Sequence, residues 1–276
     1  MGKKVIFLDI DGTLTEPGLN VPPESALKAI KMTQEKGNYV FLCTGRNRNM
    51  LAPLLKYNFD GAIGSSGGYI TYGDEVIYDC PMTEEQRERV LNTLLDNGVF
   101  RTVECRDNSY TDESFKRFLE ENSSKEGNSE LLRWRKQIEE SLAIKPMAEY
   151  GGEPVYKVVV MSPSMKELEI PIKVLGDEFN FCIQEPDKYG FINGEVVNRK
   201  FDKGSAVEIV CEYLGVSIED SYGFGDSMND REMLEVAGHS ICMENGAKAM
   251  KEISDYVCPS VTEDGLFKAF EHMGLI

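Results

Sequence analysis

Residues 5–14 read V-I-F-L-D-I-D-G-T-L, four apolar residues that end abruptly in Asp9 and Asp11, with Gly12 and Thr13 following at once. An apolar run of that length suits a strand buried on both faces of a parallel sheet. The carboxylates then fall where the strand stops. Open α/β sheets bind ligands in the crevice outside the carboxyl ends of their strands. Two acids there, beside a glycine turn, mark a metal and catalytic site.

The rest of the chain supports a parallel sheet at both ends. Pro22 and Pro23 lead into a helix over about Glu24–Lys36, which Gly37 stops. Tyr39–Cys43 is a second strand, ending in Thr44-Gly45-Arg46, and Gly61–Gly64 is a third. Strand, helix and strand with short links make a βαβ signature. The grammar returns late. Asp202-Lys203-Gly204-Ser205 opens a helix that ends before Gly215, and Ser221–Gly225 is a strand followed by Asp226-Ser227-Met228-Asn229-Asp230. A helix to Gly238, a strand through Ile241-Cys242-Met243, a helix from Ala247, a short strand near Val257 and a terminal helix to His272 complete it.

Between these halves the pattern changes. Y-I-T-Y-G-D-E-V-I-Y-D alternates around Gly73-Asp74, a hairpin signal. Thr83-Glu84-Glu85-Gln86 is a capping box opening a helix with Val90, Leu91, Leu94 and Leu95 on one face. Strands are expected at Arg101–Cys105, Tyr156–Met161 and Phe179–Ile183, helices from Glu113 and Leu131, a polar loop at 120–128 and a hairpin turn at Asn193-Gly194. The expected fold is α/β: a Rossmann-like, doubly wound parallel sheet from residues 1–82 and 188–276, interrupted by an α+β domain at 83–187.

Composition narrows the partners. The chain has 276 residues and a formal charge of −17. That surface disfavours nucleic acid and anionic membranes. An anionic ligand would have to be held by local cations, because screening ends long-range repulsion beyond about 8 Å. The seven cysteines show no C-x-x-C pair, which argues against a disulfide framework or a zinc site. No signal-peptide pattern or apolar run of about eighteen residues is present. The expectation is a cytoplasmic protein, monomeric or weakly homodimeric, acting on a small metabolite.

Strand and helix ends deliver Asp9 and Asp11, Thr44, Lys203, and Asp226 with Asn229 and Asp230 to one crevice. This set suits phosphoryl transfer. The phosphate oxygens repel an anionic nucleophile, and a divalent cation between carboxylates and phosphate removes that obstacle. Mg²⁺ takes oxygen ligands, few of them carboxylates, and keeps waters. The expected metal ligands are Asp9, Asp226 and, through a main-chain carbonyl, the Asp11 region. Asp9 is the expected nucleophile and Asp11 the acid–base group. Lys203 would neutralise charge on the phosphate and on Asp9, and Thr44 would donate to a phosphoryl oxygen. Asn229 and Asp230 would orient the metal ligands.

Each residue has a plainer reading. Asp226, Asn229 or Asp230 could cap the next helix, Lys203 could be solvated, and Thr44 an ordinary cap. Arg46 fits either a salt bridge supporting its loop or a direct anion contact. D-x-D-G also opens an EF-hand loop, but a strand precedes Asp9, and loop position twelve is Asn20 rather than Glu. His239 and His272 stand apart from these motifs. Trp134 fits the inserted domain's core or an aromatic wall of a substrate pocket.

Taken together, D9-I-D11-G-T, T44-G-R, K203-G and G225-D226-S-M-N-D230 resemble the four ordered motifs of the haloacid dehalogenase-like (HAD) hydrolases. The Cof-like branch, with a type IIB cap inserted between the second and third motifs, is the closest in pattern. Its tail also resembles E244-N-G-A…D255-Y-V…E263-D-G. The resemblance implies a Mg²⁺-dependent phosphatase forming an aspartyl-phosphate, with a sugar phosphate as substrate class. It further implies phosphate binding by Thr44, Gly45, Arg46 and Lys203, and a specificity role for the insertion. An aspartate at the head of the signature resembles phosphatases rather than dehalogenases. One departure is Ser66-Gly67-Gly68, where the branch carries Asn-Gly-Ala. A phosphomutase, a receiver-type phospho-acceptor module and a non-catalytic binding protein are the rival readings.

Overall fold

The computed structural model describes residues 2–113, 144–186 and 191–276. The helices expected from Glu113 and Leu131, the polar stretch 120–128 and Trp134 lie outside the described residues. In chain order the elements are β1 (Val5–Leu8), α1 (Glu24–Glu35), β2 (Tyr39–Cys43), α2 (Arg48–Leu55), β3 (Gly61–Gly64), β4 (Tyr69–Tyr72), β5 (Glu75–Asp79), α3 (Glu84–Asp96), β6 (Phe100–Cys105) and β7 (Ser109–Thr111). They continue with β8 (Ile144–Pro146), β9 (Val155–Ser162), α4 (Met165–Leu175), β10 (Phe179–Ile183), β11 (Ile192–Asn198), α5 (Lys203–Leu214) and β12 (Ser221–Gly225). The last are α6 (Arg231–Val236), β13 (His239–Met243), α7 (Lys248–Ile253), β14 (Tyr256–Cys258) and α8 (Gly265–His272).

Two compact units result: residues 1–46, 51–79 and 201–276 form the first, and 47–50 with 80–200 the second. The first is built on an eight-stranded sheet in the order β14-β13-β12-β1-β2-β3-β4-β5. From β14 to β3 the strands are parallel, and β4–β5 is an antiparallel hairpin closing one edge. β1 alternates between the two faces. Ile6 and Leu8 pack with α1 and α8 residues such as Ile30 and Phe270, whereas Val5 and Phe7 pack with Val207 and Val210 of α5 and Met233 of α6. This explains the uninterrupted apolar run: a strand covered by helices on both sides has no solvent face. The chain winds one way from β1 through β2 and the other way from β12 through β13. Their shared border is therefore the topological switch point, where such sheets bind ligands.

The second unit has a six-stranded sheet, β10-β11-β9-β6-β7-β8. Val103, Val158, Val160 and Val196 face α3 and α4, whose Val90, Leu94, Leu168 and Leu175 complete the core. The opposite face mixes apolar and charged residues: Lys157 is fully buried and pairs with Glu195 at 2.6 Å and Glu104 at 3.4 Å. The capping box at Thr83 and Gln86 forms as expected.

Three expectations are corrected. Asn193-Gly194 is not a turn but lies inside β11, with Gly194 opposite Ile183 and Val160. Because β11 is hydrogen-bonded to β9 and β10, residues 192–198 belong to the second unit. The junction accordingly falls between Lys200 and Phe201 rather than at 187/188, and the unit opens at Cys80 rather than at 83. Asn47 and Arg48 also join it, because Asn47 Nδ2 donates to Ser109 Oγ at 3.1 Å and the Arg48 amide donates to the Arg106 carbonyl at 3.0 Å. α2 and α4 were not anticipated, since each holds a proline, Pro53 and Pro171, which reads as a helix breaker.

Gly61 tests the packing of the first sheet. A Cβ there would stand 2.7 Å from Cδ1 of Phe41 and would overlap the carbonyl oxygen of Thr71. Gly61→Ala should cost about 2 kcal/mol or more, as overpacking against backbone does. Its urea midpoint should fall accordingly, and an unchanged midpoint would contradict this packing.

Candidate active site

Asp9 lies one residue beyond β1 and is buried, with its amide held by the Phe224 carbonyl of β12 at 3.0 Å. The backbone then turns sharply. Gly12 has φ +91°, and a Cβ on it would stand 2.7 Å from Cγ of Asp226. A bare Cα is thus what lets the β1 loop and the Asp226 carboxylate share this space.

Lys203 is the first residue of α5. Asp202 caps this helix, accepting from the Ser205 amide at 2.7 Å, and Ser205 Oγ accepts in return from the Asp202 amide. The cap sets the direction of the lysine. Its ammonium is almost fully buried and donates to Asp9 Oδ1 at 2.7 Å and Asp230 Oδ1 at 2.5 Å. Burial by itself would push the Lys203 pKa down; the charges of Asp230 and Asp9 prevail and hold it well above its ordinary value. Lys203 is therefore a fixed cation.

Asp226 and Asp230 flank the turn after β12. Asp230 is fully buried and both its oxygens are engaged, Oδ1 by Lys203 and Oδ2 by the amides of Asp226 and Ser227, each at 3.0 Å. Oδ1 of Asp226 is buried with no hydrogen-bond partner. Asp9, Asp226 and Asp230 can bring one oxygen each within 4.8 Å of the others. Against this potential charge of −3, Lys203 supplies +1. Burial first, then the charge of Asp230, raise the pKa of Asp9 well above the carboxylate range and push that of Asp226 up to about 7. An all-oxygen donor set, excess negative charge and an orphaned carboxylate oxygen are what a hard divalent cation requires. Asp9 and Asp226 could hold one.

Three expected residues sit differently. The Asp11 carboxylate is outside the cluster: it receives Arg46 Nη2 at 2.7 Å and Nε at 3.0 Å, and the Gly18 amide at 2.9 Å. Only the main chain of the Asp11 region remains for a cation, and Asp230 takes the third carboxylate place. Arg46, expected among the phosphate-binding residues, is committed to Asp11 and to Asn20 Oδ1 at 2.6 Å. This is the loop-supporting reading of Arg46. Asn229 is exposed and accepts from Ser227 Oγ, so Asp230 alone of that pair supports the cluster.

Thr44 is buried after β2, where its Oγ1 accepts from the Arg46 amide at 3.2 Å. The turn at 65–67 lies against this loop, with the Ser66 amide donating to the Thr44 carbonyl at 3.0 Å. Ser65, Ser66 and Gly67 all have positive φ. Gly67 also allows close approach of the α5 cap, since a Cβ there would stand 2.7 Å from the Asp202 carbonyl carbon. Sequence reasoning named Gly12 as the turn beside the acids but missed Gly67, Asn20 and Asn245 as site-building residues. The only signal was their place inside or beside the motifs. Burial pushes the Cys43 thiol strongly up, so it is no nucleophile at neutral pH.

The family model for haloacid dehalogenase-like hydrolases matches residues 6–270, so the chain belongs to that family. Among curated relatives, the 5-amino-6-(5-phospho-D-ribitylamino)uracil phosphatase YwtE of Bacillus subtilis is 29% identical over 282 residues, covering 95% of each chain. Among solved structures, the HAD-superfamily phosphatase BT1666 of Bacteroides thetaiotaomicron gives a TM-score of 0.81 at 19% identity, covering 99% of this chain and 96% of its own. The HAD subclass IIB sugar phosphatase BT4131 gives 0.75 at 24% identity, covering 99% and 100%. No helix among the described residues is long and apolar enough to cross a membrane.

The raised carboxylates carry a pH signature. Their folded-state pKa values exceed the ordinary value of about 3.9, so the folded state binds protons more tightly than the unfolded one. Without a cation, these groups should make stability fall as pH rises from about 4 through 7. A cation needs the ionised forms. The melting-temperature increment from millimolar Mg²⁺ should therefore be larger at pH 8 than at pH 6, and an equal or reversed increment would contradict this assignment.

Proposed function

We propose that the protein is a Mg²⁺-dependent phosphatase that hydrolyses a small phosphorylated metabolite, a sugar phosphate being the favoured class, through an aspartyl-phosphate on Asp9. The observation that carries this reading is Lys203, buried between Asp9 and Asp230, beside the unpartnered Oδ1 of Asp226.

Lys203 fixes Oδ1 of Asp9, so the carboxylate is held in one rotamer with its second oxygen left to attack phosphorus. The P–O bond to the leaving group breaks as the bond to Asp9 forms, and Asp11 gives the leaving oxygen its proton. Water then attacks the same phosphorus, Asp11 takes a proton from it, and the bond to Asp9 breaks, restoring the carboxylate. Asp11 must exchange its Arg46 contacts for substrate during this cycle. The Thr44 hydroxyl and Lys203 hold phosphoryl oxygens. Asp9, Asp226 and the main chain near Asp11 would hold the Mg²⁺, with Asp230 fixing Lys203 and the Asp226 turn from behind. The cation, when bound, offsets the charge that otherwise separates carboxylate and phosphate.

The relative YwtE has as its named substrate a phosphorylated ribityl compound, a polyol phosphate chemically close to a sugar phosphate. The second unit is proposed to select the leaving group.

Asp9→Asn keeps size and shape but replaces the nucleophile with an amide. Phosphate release from a panel of phosphorylated metabolites with Mg²⁺ should drop to background in this variant while its thermal unfolding stays cooperative. Release at the wild-type rate would sink the mechanism.

A further inference from the structure

The loop between β13 and α7 reads Glu244-Asn245-Gly246-Ala247, and it is seated on Asp226 in three ways. The Ala247 amide donates to the Asp226 carbonyl at 2.7 Å. Gly246 presses against the same carbonyl, where a Cβ would stand at 2.9 Å. Asn245 Nδ2 donates to the Gly12 carbonyl at 2.8 Å and lies 3.4 Å from Asp226 Oδ2. One side-chain amide thus joins the β1 loop to the Asp226 carboxylate.

The two oxygens of Asp226 consequently differ. Oδ2 faces the Asn245 amide and the bare Cα of Gly12, whereas Oδ1 is buried with no partner. A carboxylate rotating freely about its last bond could offer either oxygen, and terminal torsions of this kind are broad and two-fold. We propose that Asn245 is a positioning residue that selects one arrangement, holding Oδ2 so that Oδ1 is presented to the cation. It also ties the Asp9–Asp11 loop to the Asp226 turn, so ligands from two strands keep their spacing. The amide suits the task because one NH₂ carries two donors and no charge. A carboxylate at this position would add another like charge to the acid cluster. The proposal rests on the Mg²⁺ reading above and adds a residue to it.

Asn245 is exposed, so truncating it removes contacts without opening a cavity. The test is titration of the substrate-free protein with Mn²⁺, following free ion by its paramagnetic resonance signal, for wild type, Asn245→Ala and Asp226→Ala. Partners that orient metal ligands typically contribute about 10- to 100-fold in affinity. Asn245→Ala should weaken Mn²⁺ binding within that range at an unchanged melting temperature. Its half-saturating Mg²⁺ in turnover should rise likewise, with activity restored at saturating Mg²⁺. Wild-type Mn²⁺ affinity in Asn245→Ala, with binding lost in Asp226→Ala, overturns the proposal while the cation site stands. Equal binding by wild type and Asp226→Ala removes the cation site itself. Should Asn245→Ala fail to fold, Asn245→Ser, which lacks the reach to both acceptors, is judged by the same two outcomes.

Discussion

The buried ammonium of Lys203 is the interaction on which the site depends. Three carboxylates at adjacent strand ends repel one another in a low-dielectric interior, and two of them could not stay ionised without a cation. Lys203 bonds to Asp9 and Asp230 together, so it both supplies charge and fixes distance. Its own placement follows from local rules. The capping box of Asp202 and Ser205 starts α5 at Lys203, and Gly204 lets that helix approach α6, where a Cβ would meet the Glu232 carbonyl at 2.6 Å. Stability and chemistry share one element here. The lysine that makes the acid cluster tolerable also fixes the orientation of the Asp9 carboxylate.

Glycines set the scale of the site. Gly12, Gly67, Gly225 and Gly246 each stand where a Cβ would press on Asp226, Asp202 or Asp230. Such close approach lets four separate chain segments meet at the switch point of the sheet. The acidic chain as a whole, with a net charge of −17, would slow an anionic substrate at long range. Within the site, Lys203 offsets part of that charge, and a divalent cation, if bound, would offset the rest over the last few ångströms, where screening is weakest.

Much of this was legible in the sequence, for a physical reason. β1 is covered by helices on both faces, so its run of apolar residues is unbroken and its end is sharp. The carboxylates at 9 and 226 stand one residue past their strands, which is why position alone singled them out as candidates. Other features depended on long-range geometry. Asn193-Gly194 carries a hairpin signal, yet Gly194 serves close strand packing, since a Cβ would stand 2.6 Å from Ile183 Cδ1 and 2.9 Å from the Cys182 carbonyl. Register in a six-stranded sheet outweighed the dipeptide preference. The junction moved to Lys200 for the same reason. The pairing of Asp11 with Arg46 spans thirty-five positions in sequence. It was one of two readings of Arg46, and the sequence offered no means of choosing between them. Asn229 and Asp230 are neighbours of similar shape, and only the turn decides which faces inward.

The central claim is that Asp9 carries the phosphoryl group. The direct measurement is acid quench during turnover with Mg²⁺, then borohydride reduction and peptide mass spectrometry. An acyl phosphate at position 9 is reduced to an alcohol, so the peptide containing Asp9 should appear with homoserine in its place. A reduced residue at any other carboxylate, or none at Asp9 in a sample actively releasing phosphate, would contradict the account.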